Sequence, residues 1–136
     1  MINLNNGRLS DTDVARYWDD GFLFPVPVID AAEAQAMRAE LEGIEADWLD
    51  SGLPLPLNTY KRVNSHVVMP LADRIGRHPA ILDVVEGIIG PDIMIYSVEF
   101  FIKEAKTKQI VSMHQDLTYW GLGAIDGLVT AWLALS

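Results

Sequence analysis

The feature that most limits the fold of this chain is a change of hydrophobic period at Gly90-Pro91. Upstream of it, apolar residues recur every three or four positions, as on one face of a helix. Downstream, β-branched and aromatic residues crowd into short runs separated by polar or glycine-rich breaks, the pattern of strands. Glycine and proline together end a helix at this point, because proline brings no N–H and glycine accepts the left-handed turn that closes a helix. Helices first and strands last, segregated rather than alternating, predict an α+β fold.

In the upstream part, Ser10-Asp11-Thr12-Asp13 reads as a helix start, with a capping hydroxyl followed by acids that favour the first turn. Val14, Tyr17 and Trp18 follow at helical spacing, and Gly21 stops the helix. Residues 22–29 are apolar but contain Pro25 and Pro27, which predicts an edge strand or an extended linker. Asp30 caps a second helix over residues 31–48. There Ala34, Met37, Leu41, Ile44 and Trp48 form an amphipathic stripe suited to core packing, and Gly43 is a weak point. Residues 50–56 form a loop. Residues 60–68 predict a short strand and a turn, and residues 71–77 a short helix. His78-Pro79 opens another helix, carrying Ile81, Leu82, Val85, Ile88 and Ile89.

Past Gly90, residues 93–102 predict a long strand, 103–108 a polar loop, 109–114 a second strand, and 128–135 a final buried one. Three strands are too few to close a barrel, and a strand as apolar as 128–135 calls for a neighbour on each side. The 136 residues therefore read as one domain, helical over 1–90, that lacks its C-terminal half.

The net charge of −9 argues against a nucleic-acid partner, which needs a basic footprint, and against an anionic membrane surface. With no cysteine, the chain has no disulfide, iron–sulfur cluster, thiolate nucleophile or cysteine-ligated zinc. Residues 1–6 lack the basic and apolar regions of a signal peptide, and no apolar run reaches membrane-spanning length. A cytoplasmic protein is the expectation.

Chemistry concentrates in His114-Gln115-Asp116. In an extended strand, side chains two apart share a face, so an imidazole and a carboxylate would project side by side while Gln115 points away. That is two thirds of a 2-His-1-carboxylate triad, which holds Fe(II) and leaves positions open. Taken alone, the pair is equally an ordinary hydrogen-bonded couple on a strand.

Four stretches carry a resemblance to the phytanoyl-CoA dioxygenase family of Fe(II)- and 2-oxoglutarate-dependent oxygenases. They are His78-Pro79-Ala80-Ile81-Leu82 running into Ile89-Gly90-Pro91-Asp92-Ile93, the run over 93–103, Met113-His114-Gln115-Asp116-Leu117-Thr118-Tyr119-Trp120, and Val129-Thr130-Ala131-Trp132-Leu133-Ala134-Leu135-Ser136. The resemblance implies a double-stranded β-helix, or jelly roll, with helices packed outside it, of which 91–136 would be the first strands. It implies Fe(II) as cofactor, 2-oxoglutarate as co-substrate and a small-molecule substrate that is hydroxylated, with release of succinate and CO2. By the same resemblance His114 and Asp116 are iron ligands, and Gln115 adjoins the co-substrate region. Trp132 sits against 2-oxoglutarate, Lys61 or Arg62 is a basic residue near it, and Glu99 is a further neighbour. Related halogenases replace the carboxylate with a small residue, so Asp116 favours hydroxylation. The family's distal histidine and its carboxylate-binding arginine come well after Trp132, and the sequence contains neither.

The residues by themselves leave plainer readings open. Lys61 and Arg62 are also a solvated basic pair, Glu99 a polar residue on an open face, and Trp132 a core residue. Tyr119 and Trp120 are a substrate wall or simple aromatic packing. His66 and His78 are structural. At the level of function, the alternatives are a catalytically inactive remnant that acts as a binding fragment, and a metal-dependent hydrolase, since histidine and aspartate also bind zinc.

Overall fold

Helix α1 (Asp11–Asp20) begins where Ser10 turns its hydroxyl back to accept the Asp13 N–H at 3.1 Å. It ends at Gly21, whose φ of 80° lets its N–H reach the Tyr17 carbonyl at 2.8 Å. The structure is a computed structural model that describes residues 2–103, 106–108, 110–123 and 125–136. Residues 22–29 follow as extended chain without a ladder, as two prolines require. Helix α2 (Ala31–Trp48) starts at Asp30, which accepts the Glu33 N–H at 2.8 Å. A short helix α3 (Leu57–Arg62) and a 3-10 turn (Ser65–Val67) lead to α4 (Pro70–Gly76), α5 (Pro79–Ile89) and one last turn, α6 (Leu117–Trp120).

The core lies where α2 and α4 meet. Leu41 faces Leu71, Ala72 and Ile75, with Met69 and Phe100 closing the cluster and Met37, Ile44 and Ile81 packed around it. The stripe read on α2 thus points inward from Ala34 to Ile44, while Trp48 at its end is half exposed. Glu40 and Arg74 bridge the rim of the same contact, at 2.5 and 2.7 Å. Helix α1 buries none of its residues and lies along α5. The Arg8–Glu86 pair, at 3.1 Å, ties the chain before α1 to α5.

Two expectations are corrected. Residues 60–68 are not a strand and turn but the end of α3 followed by the 3-10 turn. Burial falls on Leu57, Lys61 and Ser65, four residues apart, so the helical period prevails over the β-branched Val63, Val67 and Val68, which are exposed. Asn64, in the left-handed region at φ 48°, separates the two pieces.

The larger correction concerns the α+β expectation and the jelly roll. Among the described residues there is no strand or sheet, only an isolated bridge between Asn5 and Arg8. The expected strands at 93–102, 110–114 and 128–135 run as extended chain; Gln109, and Glu104 and Ala105 of the expected loop, lie outside the described residues. Side chains still alternate over parts of two of them. Ile93, Ile95 and Ser97 turn partly inward with Met94 and Tyr96 exposed between them; the phase then slips, with Val98 partly inward, Glu99 exposed and Phe100 buried. Leu133 and Leu135 face the core between exposed Trp132, Ala134 and Ser136. A strand, however, exists only as a paired ladder, and the first of these segments spends hydrogen bonds at Val98 and Phe100 on the helical layer. Val98 accepts from the Ser65 N–H at 2.9 Å and from its hydroxyl, and Phe100 donates to the Lys61 carbonyl at 2.8 Å. Where the side-chain period survives without a sheet, it follows from extended backbone alone.

Candidate functional site

Residues 110–120 run from extended chain into α6, and this bend builds the site. Asp116 already has helical angles, φ −57° and ψ −42°, so the motif does not lie on a strand as the sequence suggested. The two side chains meet nonetheless: His114 Nε2 is 3.1 Å from Asp116 Oδ1. The imidazole's Nδ1 lies 2.7 Å from the Ser112 carbonyl, and the second carboxylate oxygen, Oδ2, accepts the Thr130 hydroxyl at 2.7 Å. Both side chains are about 30% exposed, at 31% and 28%. Around them Ile110, Val111, Ser112, Tyr119 and Trp120 line a shallow, open concavity of about 450 Å³. The Tyr119 ring stands edge-on to His114 with centroids 5.8 Å apart, and Trp120 stacks on Tyr96 at 4.8 Å.

The hydrogen bonding has a chemical consequence. A carbonyl oxygen only accepts, so the Nδ1 facing Ser112 carries a proton. In the neutral ring Nε2 then presents a lone pair, and it faces a carboxylate oxygen, which is also an acceptor. Something positive belongs between them, either a second ring proton or a metal cation held by both. Metal-bound histidines are oriented in this way, with the far N–H donated to a carbonyl or carboxylate. The spacing also suits a metal: adjacent donors at bonds of about 2.1 Å stand about 3.0 Å apart. Among the described residues, no three His, Cys, Asp or Glu gather closely enough to hold a metal, so the pair stands as two donors.

The other predicted residues lie elsewhere, and none of Lys61, Arg62, Glu99 or Trp132 lines this concavity. Gln115 is exposed, and its carbonyl accepts the Thr118 N–H at 3.1 Å. Trp132 is not a core residue: it is 73% exposed and its ring leans on Phe101, with centroids 5.5 Å apart. Glu99 is exposed and accepts the Ser97 hydroxyl at 3.2 Å. Lys61 is not solvated; it is buried and its ammonium pairs with Glu45 of α2, whereas Arg62 is exposed. His78 meets Glu33 at 3.0 Å, and the Nδ1 atoms of His66 and His78 are buried with no partner among the described residues. Sequence reading missed Thr130 and Glu45. Each acts through a contact 14 or 16 positions away, which leaves no local pattern.

A family profile for phytanoyl-CoA dioxygenase (PhyH) matches residues 17–136. The chain belongs to the phytanoyl-CoA dioxygenase family. At family level this places it among Fe(II)- and 2-oxoglutarate-dependent oxygenases, for which a small-molecule substrate is the fitting partner. No curated protein and no solved structure matches the chain. Among the described residues, no helix is long and apolar enough to cross a membrane.

Proposed function

We propose that this member of the phytanoyl-CoA dioxygenase family hydroxylates a small organic substrate, with His114 and Asp116 as its ligands to Fe(II) and 2-oxoglutarate as co-substrate. The observation that carries this reading is the facing pair, His114 Nε2 and Asp116 Oδ1, 3.1 Å apart, with Nδ1 2.7 Å from the Ser112 carbonyl. When bound, the iron would supply activation of O2 coupled to conversion of 2-oxoglutarate into succinate and CO2. The chain's own residues do the rest. Ser112 fixes the imidazole's rotation and tautomer, so that its lone pair is aimed before any metal arrives. Ile110, Val111, Tyr119 and Trp120 give the pair an apolar flank, and a substrate laid on that flank completes the exclusion of water.

The test is anaerobic titration of the full chain with Fe(II) and 2-oxoglutarate, followed by the visible charge-transfer band of the chelate. The band is expected with the unmodified chain and absent in His114→Ala and Asp116→Ala. A band of equal strength in His114→Ala removes the proposal.

A further inference from the structure

Asp116 has two carboxylate oxygens with different neighbours. Oδ1 faces His114, and Oδ2 accepts the Thr130 hydroxyl at 2.7 Å. Asp116 itself sits at the head of a four-residue turn, and its side chain makes no capping bond to that turn's backbone. Apart from the His114 contact, no bond within the turn sets the rotation of the carboxylate. Thr130 is differently placed. It belongs to the extended run whose Leu133 and Leu135 pack on the helical core, and its β-branched side chain has few rotamers. A hydroxyl held in this way occupies one carboxylate oxygen and turns the other toward His114.

From this geometry we infer that Thr130 is a positioning residue, one that commits Asp116 to ligation through Oδ1 alone and ties the metal pair to the core through residues 125–136. The inference rests on the reading of His114 and Asp116 as metal donors. It adds a residue that touches neither metal nor substrate, from a part of the chain 14 positions beyond Asp116. A carboxylate limited to one oxygen occupies one coordination position instead of two, which keeps a position open for co-substrate or oxygen.

The test uses Co(II) alone, a spectroscopically visible divalent metal, titrated into the full chain and into Thr130→Val, Thr130→Ser and His114→Ala. Valine keeps the shape and removes the hydroxyl; serine keeps the hydroxyl. Loss of an outer hydrogen bond to a ligand weakens metal binding by about 10- to 100-fold, so Thr130→Val is expected to bind Co(II) at least about tenfold more weakly. Its Co(II) absorption bands should shift as the freed carboxylate rotates, and Thr130→Ser should restore both affinity and spectrum. Thermal melting of the metal-free variants separates this from unfolding, since an exposed Thr130 should leave the melting temperature unchanged on substitution by valine. If His114→Ala loses Co(II) while Thr130→Val binds like the unmodified chain, the role of Thr130 is wrong and the metal pair stands. If Thr130→Ser is as weak as Thr130→Val, the hydroxyl is not the agent and the inference fails. If His114→Ala binds as the unmodified chain does, the metal reading fails and takes this inference with it.

Discussion

The pair formed by Lys61 and Glu45 makes an asymmetric prediction. Lys61 is 5% exposed, and among the described residues its ammonium meets one carboxylate, that of Glu45, whose side chain is 31% exposed. Removing the anion strands a buried cation, which costs about 3–5 kcal/mol for a fully buried pair; with Glu45 one third exposed, about 2–4 kcal/mol is the expectation for Glu45→Gln. Removing the cation instead leaves a carboxylate that water can reach. In Lys61→Met the stem is kept, the charge is gone, and replacing buried ions by apolar groups of similar volume is often neutral or stabilising. Lys61→Met is therefore expected between no change and a gain of about 2 kcal/mol. Urea denaturation reads the difference. With a slope of about 2 kcal/mol per molar, Glu45→Gln lowers the midpoint by about 1–2 M while Lys61→Met holds or raises it. In the Lys61→Met background, Glu45→Gln should cost less than about 1 kcal/mol, because no buried charge remains to be stranded. The reasoning is refuted if Glu45→Gln keeps the original midpoint, or if it costs the same in both backgrounds.

Two further outcomes follow from packing and titration. A Cβ on Gly76 would lie 2.9 Å from Val98 Cγ2 and 3.3 Å from Ile95 Cδ1, so Gly76→Ala should destabilise by about 1–3 kcal/mol despite alanine's better helix propensity; a gain in urea midpoint would show that the segment at 93–101 does not rest on α4. Burial raises the Tyr17 phenol above its usual 10.0. The unfolded chain then releases that proton at lower pH than the folded one, so the stability Tyr17 contributes is complete below about pH 10 and is lost as pH rises further. Thermal melts between about pH 9 and 11 should fall more steeply for the unmodified chain than for Tyr17→Phe, and parallel curves would contradict the shift.

The helices were the most legible part of this chain, and their ends show why. Ser10, Gly21, Asp30, Pro79 and Gly90 act through hydrogen bonds and torsion angles within one turn, so the residues that decide α1, α2 and α5 are adjacent to the effect. Residues 60–68 were misread because Val63, Val67 and Val68 carry a β signal that a few inward contacts at Leu57, Lys61 and Ser65 override. The candidate site divides in the same way. His114 and Asp116 were found from residue type and spacing, and Ser112 is close enough to act locally. Thr130 and Glu45 were out of reach, since nothing near either residue marks its partner.

The His-x-Asp motif shows most directly what each level decides. The residue types and their order determined that an imidazole and a carboxylate stand two positions apart, in a chain of a family that uses such pairs for iron. They also determined the alternating burial over 93–97 and 132–136, because extended backbone turns successive residues to opposite sides. Only the tertiary structure decided what the segment at 93–102 bonds to, since a ladder depends on a second segment and here Val98 and Phe100 find their partners in the 3-10 turn and α3. It likewise decided that the motif sits at a bend into a helical turn, that one carboxylate oxygen belongs to Thr130, and that Lys61 spends its charge on Glu45. The Thr130 and Glu45 contacts span 14 and 16 residues, and their energy comes from burial and geometry that no local stretch of chain contains.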